Sequence, residues 1–225
     1  DEEGLSLEAL GAHVNPLQPD SSSHGLNSDT LNALLEFLVA QRSAEPRMPA
    51  RVVIWSGTLS GRQSTPHPGN QNPGALAELV SWTRTWIPLL ESADAQLLFK
   101  PHHAHVLFDA DVMESFLEKI ESAQIGLALD PCALLMPRNF HEREALLEKM
   151  LKRIGEHVRL VHLRDARIKQ FAIELCGPGQ GQMGYAGLLR QLRKYAPDAP
   201  LLIDGVESEQ MLKRAREYVE LQSKL

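Results

Sequence analysis

Val158-Arg159-Leu160-Val161-His162-Leu163-Arg164-Asp165 is the stretch that decides the fold. Apolar side chains at 158, 160, 161 and 163 fall on both faces of an extended chain, as a parallel strand covered from two sides requires. A histidine and then a charged pair end the run. Five more runs read the same way: Leu7–Val14, Arg51–Trp55, Ala95–Phe99, Ile125–Leu129 and Pro200–Ile203. Segments of helical period lie between them. Leu31, Leu34, Leu35 and Leu38 form one stripe, and Leu76, Leu79, Val80 and Ile87 a second that Pro88 is expected to bend or end. Val112, Met113, Phe116, Leu117 and Ile120 form a third, with Asp109 placed to cap it. Leu147, Met150, Leu151 and Ile154 follow, then Leu188, Leu189 and Leu192, then Met211, Leu212, Ala215 and Val219. Strands alternating with helices give an α/β class with a parallel sheet, in one domain over residues 1–225. Six β-α units leave an open sheet or an incomplete barrel.

Composition narrows the function. Of 225 residues, 43% are hydrophobic and 23% charged, which is the balance of a chain with a core. Lysine and arginine number 23 against 29 acidic residues, a net charge of −6 that argues against a nucleic-acid binder. No apolar run is long enough to cross a membrane. Two cysteines, Cys132 and Cys176, fit a reducing compartment, and the opening Asp1-Glu2-Glu3-Gly4 resembles no secretion leader, so a cytoplasmic location is expected. That opening also lacks a methionine, so more chain is expected before it.

The polar residues sit where the apolar runs stop. Leu7–Val14 stops at Asn15, Arg51–Trp55 at Ser56-Gly57-Thr58, and Ala95–Phe99 at Lys100-Pro101-His102. Ile125–Leu129 stops at Asp130, the quoted stretch at His162, Arg164 and Asp165, and Pro200–Ile203 at Asp204. In a barrel all of these line one mouth, where chemistry is done. Asp130, His162 and Asp204 are a ligand set suited to Mn, Mg, Co or Zn, and such a metal polarises a sugar carbonyl. Lys100, as an ammonium, is no ligand. His102 suits substrate contact, and Arg164 with Arg167 suits an anionic group.

Other features read more plainly. Gly179-Gln180-Gly181-Gln182-Met183-Gly184 matches G-x-G-x-x-G, but one helix after the next strand is too little for a dinucleotide fold, leaving a turn or a phosphate rest. Residues 57–74 are polar and rich in Gly and Pro, the composition of a lid or a plain loop. His102, His103 and His105, with His67, match no standard zinc spacing.

Together Leu10-Gly11-Ala12-His13-Val14-Asn15, Phe99-Lys100-Pro101-His102, Leu129-Asp130-Pro131, Val161-His162-Leu163-Arg164-Asp165 and Gly177 to Gly184 resemble the xylose isomerase-like TIM barrels, the sugar phosphate isomerase/epimerase group. The resemblance implies a (β/α)8 barrel whose first two β-α units, roughly sixty residues, are missing here, with eight strands needed for closure. Either the chain is truncated or a homo-oligomer covers the open edges. The family holds a divalent metal through Glu, Asp, His and Glu at successive strand ends. Asp130 and His162 match, Asp204 is one methylene shorter than the last glutamate, Lys100 replaces the first, and Ala133 stands where some members carry histidine.

What the resemblance implies is an isomerase or epimerase, or a lyase, acting on a small keto-sugar, polyol or sugar phosphate by metal-assisted proton transfer next to a carbonyl. Asp204 and Lys100 are the catalytic candidates; Asp130, His162 and Asp204 hold the metal; His102, Arg164, Asp165 and Asn15 bind substrate. Two alternatives stay open: a barrel that binds carbohydrate or serves as a scaffold without catalysis, and a metal-independent enzyme that uses Lys100 as nucleophile or fixed cation.

Overall fold

The computed structural model describes residues 8–44 and 50–225, which form two compact units, Asp1–Leu127 and Ala128–Leu225. Leu7, where the first strand is expected to start, and the leader reading of residues 1–4 lie outside the described residues.

In the first unit the elements are β1 (Leu10–Gly11), α1 (Ser21–Ala44), β2 (Arg51–Trp55), α2 (Pro73–Ser92), β3 (Gln96–Lys100), α3 (Ala110–Ile120) and β4 (Ile125–Leu129). The last two residues of β4 open the second unit. The strands lie side by side in chain order, all parallel, with Leu10 opposite Val52, Val52 opposite Leu97, and Leu97 opposite Ile125. Val52, Val53, Ile54, Leu97, Leu98 and Phe99 are buried, so the near-continuous apolar runs are indeed strands covered on both faces. β1 is far shorter than its run suggests.

Local chemistry sets the helix ends. Asp109 Oδ1 accepts the Val112 N–H at 3.0 Å and caps α3, as its position before the apolar stripe predicts. The stripe then buries Met113, Phe116, Leu117 and Ile120, with the Phe116 ring 5.0 Å from that of Phe99. α2 runs through Pro88 to Ser92 rather than ending there. Leu79 and Val80 before the proline and Leu90 after it are all buried, and that shared apolar face outweighs a penalty of about 3 kcal/mol for an interior proline.

The polar segment 57–74 is stapled within its unit. Asn70, buried, accepts the Leu59 N–H at 2.8 Å and donates to Thr58 Oγ1 at 2.9 Å and the Ala104 carbonyl at 2.7 Å. Those bonds hold it down instead of leaving it a free flap.

The second unit contains α4 (Arg143–Ile154), β5 (Val158–Leu163), β6 (Asp165–Lys169), β7 (Ala172–Cys176), α5 (Tyr185–Tyr195), β8 (Leu201–Ile203) and α6 (Glu209–Gln222). β5 and β8 are parallel, with His162 opposite Leu202 and Leu163 opposite Ile203. β6 and β7 form an antiparallel hairpin that the helix-and-strand periodicity does not announce. Its two-residue turn is Gln170-Phe171, both at positive φ (50° and 62°), where Asn-Gly would be the legible signal. Phe171 stands 95% exposed at the tip, and β7 begins at the next residue. The alternation of helices with six parallel strands is that of an incomplete (β/α)8 barrel.

Candidate functional site

The pairing of β5 with β8 creates the chemistry of the second unit. Asp204 follows β8, and its N–H donates to the Leu163 carbonyl at 3.1 Å, which carries the register one step past the strands. His162 and Arg164 are two residues apart on an extended chain, so both side chains leave the same face. That places all three groups together. His162 Nδ1 lies 3.1 Å from Asp204 Oδ2, and Arg164 Nη2 lies 3.0 Å from the same oxygen. Asp204 Oδ1 accepts the Gly205 N–H at 2.6 Å.

Asp130, fully buried, joins from the loop after β4. Its Oδ2 is 3.8 Å from Arg164 Nη1, and its Oδ1 accepts the Cys132 N–H at 3.2 Å. The backbone of Arg164 is held too: its carbonyl accepts the Tyr185 hydroxyl at 2.9 Å and the Cys132 thiol at 3.2 Å. Neither Tyr185 nor Cys132 carries a spacing signal for this task. The apposition exists only once α5 packs under the strand end.

Electrostatics follow from the contacts. The His162 hydrogen bond, with Arg164 beside it, holds the Asp204 carboxyl well below the usual carboxylate range despite partial burial. A carboxylate so stabilised is a poor proton acceptor. With Nδ1–H given to an acceptor-only oxygen, the neutral form of the His162 ring carries its lone pair on Nε2. That Nε2 is buried and has no hydrogen-bond partner among the described residues. Burial pushes the Cys132 thiol far up, with Asp130 and Asp165 adding to it, so the thiol is inert.

Asp165 spends its oxygens on backbone. Oδ1 accepts the N–H groups of Ala166 (2.8 Å) and Met183 (3.0 Å), and Oδ2 that of Gly179 (3.1 Å). The carboxylate thus ties the glycine-rich turn 179–184 to the start of β6, which explains the glycines without any phosphate. Arg167 pairs with Glu174 across the hairpin, and Lys169 reaches the same glutamate at 3.0 Å. A groove of about 690 Å³, lined by Pro137, Phe140, Arg143, Ile168, Gln182 and Gly184 among others, takes in the end of the glycine-rich turn but none of the catalytic, metal or substrate candidates named from the sequence.

Lys100, His102 and Asn15 belong to the first unit. Asn15 is buried and works as a staple: its Oδ1 accepts the Thr58 N–H at 2.9 Å and the Leu17 N–H at 3.2 Å, and its amide donates to the Thr58 carbonyl at 2.7 Å. Lys100 ends β3, half-buried. His102 stacks on His103 at 4.3 Å and sits 4.9 Å from His105. Burial first, then His103, His105 and Lys100, push the His102 imidazole down to about 3. His105 is buried, with Nε2 donating to the Gln63 carbonyl at 2.8 Å and Nδ1 accepting from the Ser56 hydroxyl at 3.0 Å. Burial brings it down to about 4. His102 and His105 are therefore neutral imidazoles near pH 7.

A divalent cation needs at least three donors converging on one point. Among the described residues no three His, Cys, Asp or Glu side chains converge so. Between Asp130 and Asp204 stands the guanidinium of Arg164, and the Asp204 oxygen facing it also takes the imidazole N–H. In this arrangement Asp130, His162 and Asp204 do not fit a metal, contrary to what the resemblance implies.

The family profile described as xylose isomerase-like TIM barrel matches residues 19–222. No curated protein matches the sequence. Solved structures do resemble it. A D-tagatose 3-epimerase-like protein superposes with a TM-score of 0.73 at 16% identity, over 99% of this chain and 80% of that one. The 3-keto-D-glucoside 4-epimerase of E. coli gives 0.67 at 16%, over 100% and 81%. A xylose isomerase-like TIM barrel protein of Mycobacterium smegmatis, in complex with magnesium, gives 0.66 at 14%, over 99% and 75%.

Proposed function

The chain belongs to the xylose isomerase-like TIM barrel family, and from that premise we propose that it acts on a small keto-sugar or polyol as a sugar isomerase or epimerase, moving a proton next to a carbonyl. The single observation carrying this reading is the imidazole of His162, fixed by Asp204 through Nδ1 with Nε2 left unpartnered. A buried polar atom without a partner calls for an explanation, and a bound substrate C–H or hydroxyl supplies one.

In this proposal His162 Nε2 takes the proton from the carbon beside the carbonyl; the C–H electron pair becomes the C=C bond and the carbonyl π pair moves onto the oxygen, giving an enediolate. For isomerisation the imidazolium returns the proton to the former carbonyl carbon while the adjacent hydroxyl passes its proton to the oxyanion; for epimerisation the same carbon takes its new proton on the opposite face, from solvent. Asp204 stays ionised throughout. It orients the ring and stabilises the imidazolium, so the role of base passes from Asp204 to His162. Arg164 offers fixed positive charge to the oxygen that gains negative charge. The structural likeness to a D-tagatose 3-epimerase-like protein and a 3-keto-D-glucoside 4-epimerase supports the substrate class.

Incubation with a panel of keto-sugars and their phosphates in D2O, followed by NMR, tests the reading. Deuterium is expected at the carbon adjacent to the carbonyl of at least one sugar, and not with His162→Gln. No exchange with any sugar would overturn it.

A further inference from the structure

We propose that Arg164 is the resident cation of the second unit's strand ends, occupying with its guanidinium the place between Asp130 and Asp204 to which a divalent ion would be drawn. The inference deepens the proposed function by making its proton transfer metal-independent, and it rests on that reading only for the word function. The exclusion of metal stands on the donors alone.

Three observations carry it. The guanidinium bridges both carboxylates, with Nη2 at 3.0 Å from Asp204 and Nη1 at 3.8 Å from Asp130. The backbone beneath it is anchored, the Arg164 carbonyl accepting from the Tyr185 hydroxyl and the Cys132 thiol, and both Tyr185 and Cys132 are buried. The donors a metal would want are also turned to other work. Asp204 Oδ2 accepts from His162 and from Arg164, its Oδ1 accepts from Gly205, and Asp130 Oδ1 accepts from Cys132. Asp130 Oδ2 faces Arg164 Nη1 within ion-pair range, and His162 gives its Nδ1 to Asp204.

Charge points the same way. Two carboxylates attract a dication; two carboxylates with a guanidinium between them keep one net negative charge and confront an arriving dication with a fixed positive group at contact distance. Arginine suits this duty better than lysine, since its planar fork addresses two acids at once and it never deprotonates.

The test uses the whole chain dialysed against MnCl2, with bound manganese counted by plasma mass spectrometry and thermal melting recorded with and without the ion. The wild type is expected to retain far less than one Mn per chain, with an unmoved melting temperature. Arg164→Met, which strips the cation but keeps the bulk, is expected to bind Mn at least about tenfold more tightly and to melt higher when Mn is added. Arg164→Lys keeps a positive charge and should behave as the wild type. It also covers the case in which the methionine variant fails to fold, since the wild-type count then decides alone. Stoichiometric Mn on the wild type overturns the inference, as does a folded Arg164→Met that takes up no more Mn than the parent. Metal counts do not depend on turnover, so a failure of the sugar chemistry leaves this result readable, and the reverse holds too.

Discussion

His162 Nδ1 and Asp204 Oδ2 lie 3.1 Å apart, although 42 residues separate them in the chain. The pair turns an acid at the end of one strand into the orienting group for an imidazole on its neighbour, and it reverses the roles that residue type alone suggests. His162→Gln is therefore expected to lower the rate of sugar proton exchange by about 100-fold or more, the usual worth of a general base. Its melting temperature should change little, because the lost hydrogen bond is worth only about 1 kcal/mol. Single-substrate kinetics and calorimetry check both halves.

Asn15, a candidate for substrate contact by its place after the first strand run, bonds Thr58 and Leu17 within its own unit. Asn15→Ala strands the buried Thr58 N–H and carbonyl, a cost of about 2 kcal/mol. Chemical denaturation should show that loss, while KM for any turned-over sugar stays at the wild-type value.

The neutral histidines of the first unit make its stability pH-dependent. His105 titrates near 4 in the fold, below about 6.5 in an unfolded chain. Between those values the unfolded chain holds a proton that the folded one does not, so stability falls as pH drops below about 6.5 and stops falling near the folded value. The slope from His105 is about 1.4 kcal/mol per pH unit, and His102, down to about 3, acts in the same direction. Melting temperatures at pH 7 and pH 5 should differ accordingly; identical values would contradict it. NMR of the ring protons should show two imidazoles that do not titrate in that range.

Gly181 lies against the carboxylate of Asp165, and a Cβ there would collide with Asp165 Oδ1 and with the Ala166 carbonyl at 2.6 Å. Gly181→Ala should push Asp165 off the amides of Met183 and Gly179 and cost about 1–3 kcal/mol, as overpacking does. Equilibrium unfolding measures the loss. A stable Gly181→Ala would mean that the turn is held by something other than Asp165.

The amino-acid sequence by itself determined the alternation of β and α, the strands at 51–55, 125–129 and 158–163, and the cap of α3 by Asp109, because each depends on neighbours within a few residues. It also named Asp130, His162, Arg164 and Asp204, since polar groups that end buried runs stand out in any single chain. Only the tertiary structure decided which of those groups meet. Whether Asp204 faces a metal or an arginine depends on the β5–β8 register and on Tyr185 and Cys132 gripping a carbonyl, none of which leaves a periodic trace. The same holds for the hairpin at 165–176, whose turn takes left-handed φ at Gln170 and Phe171, and for α2 passing Pro88: burial supplied by distant segments overrode the local preference in both places.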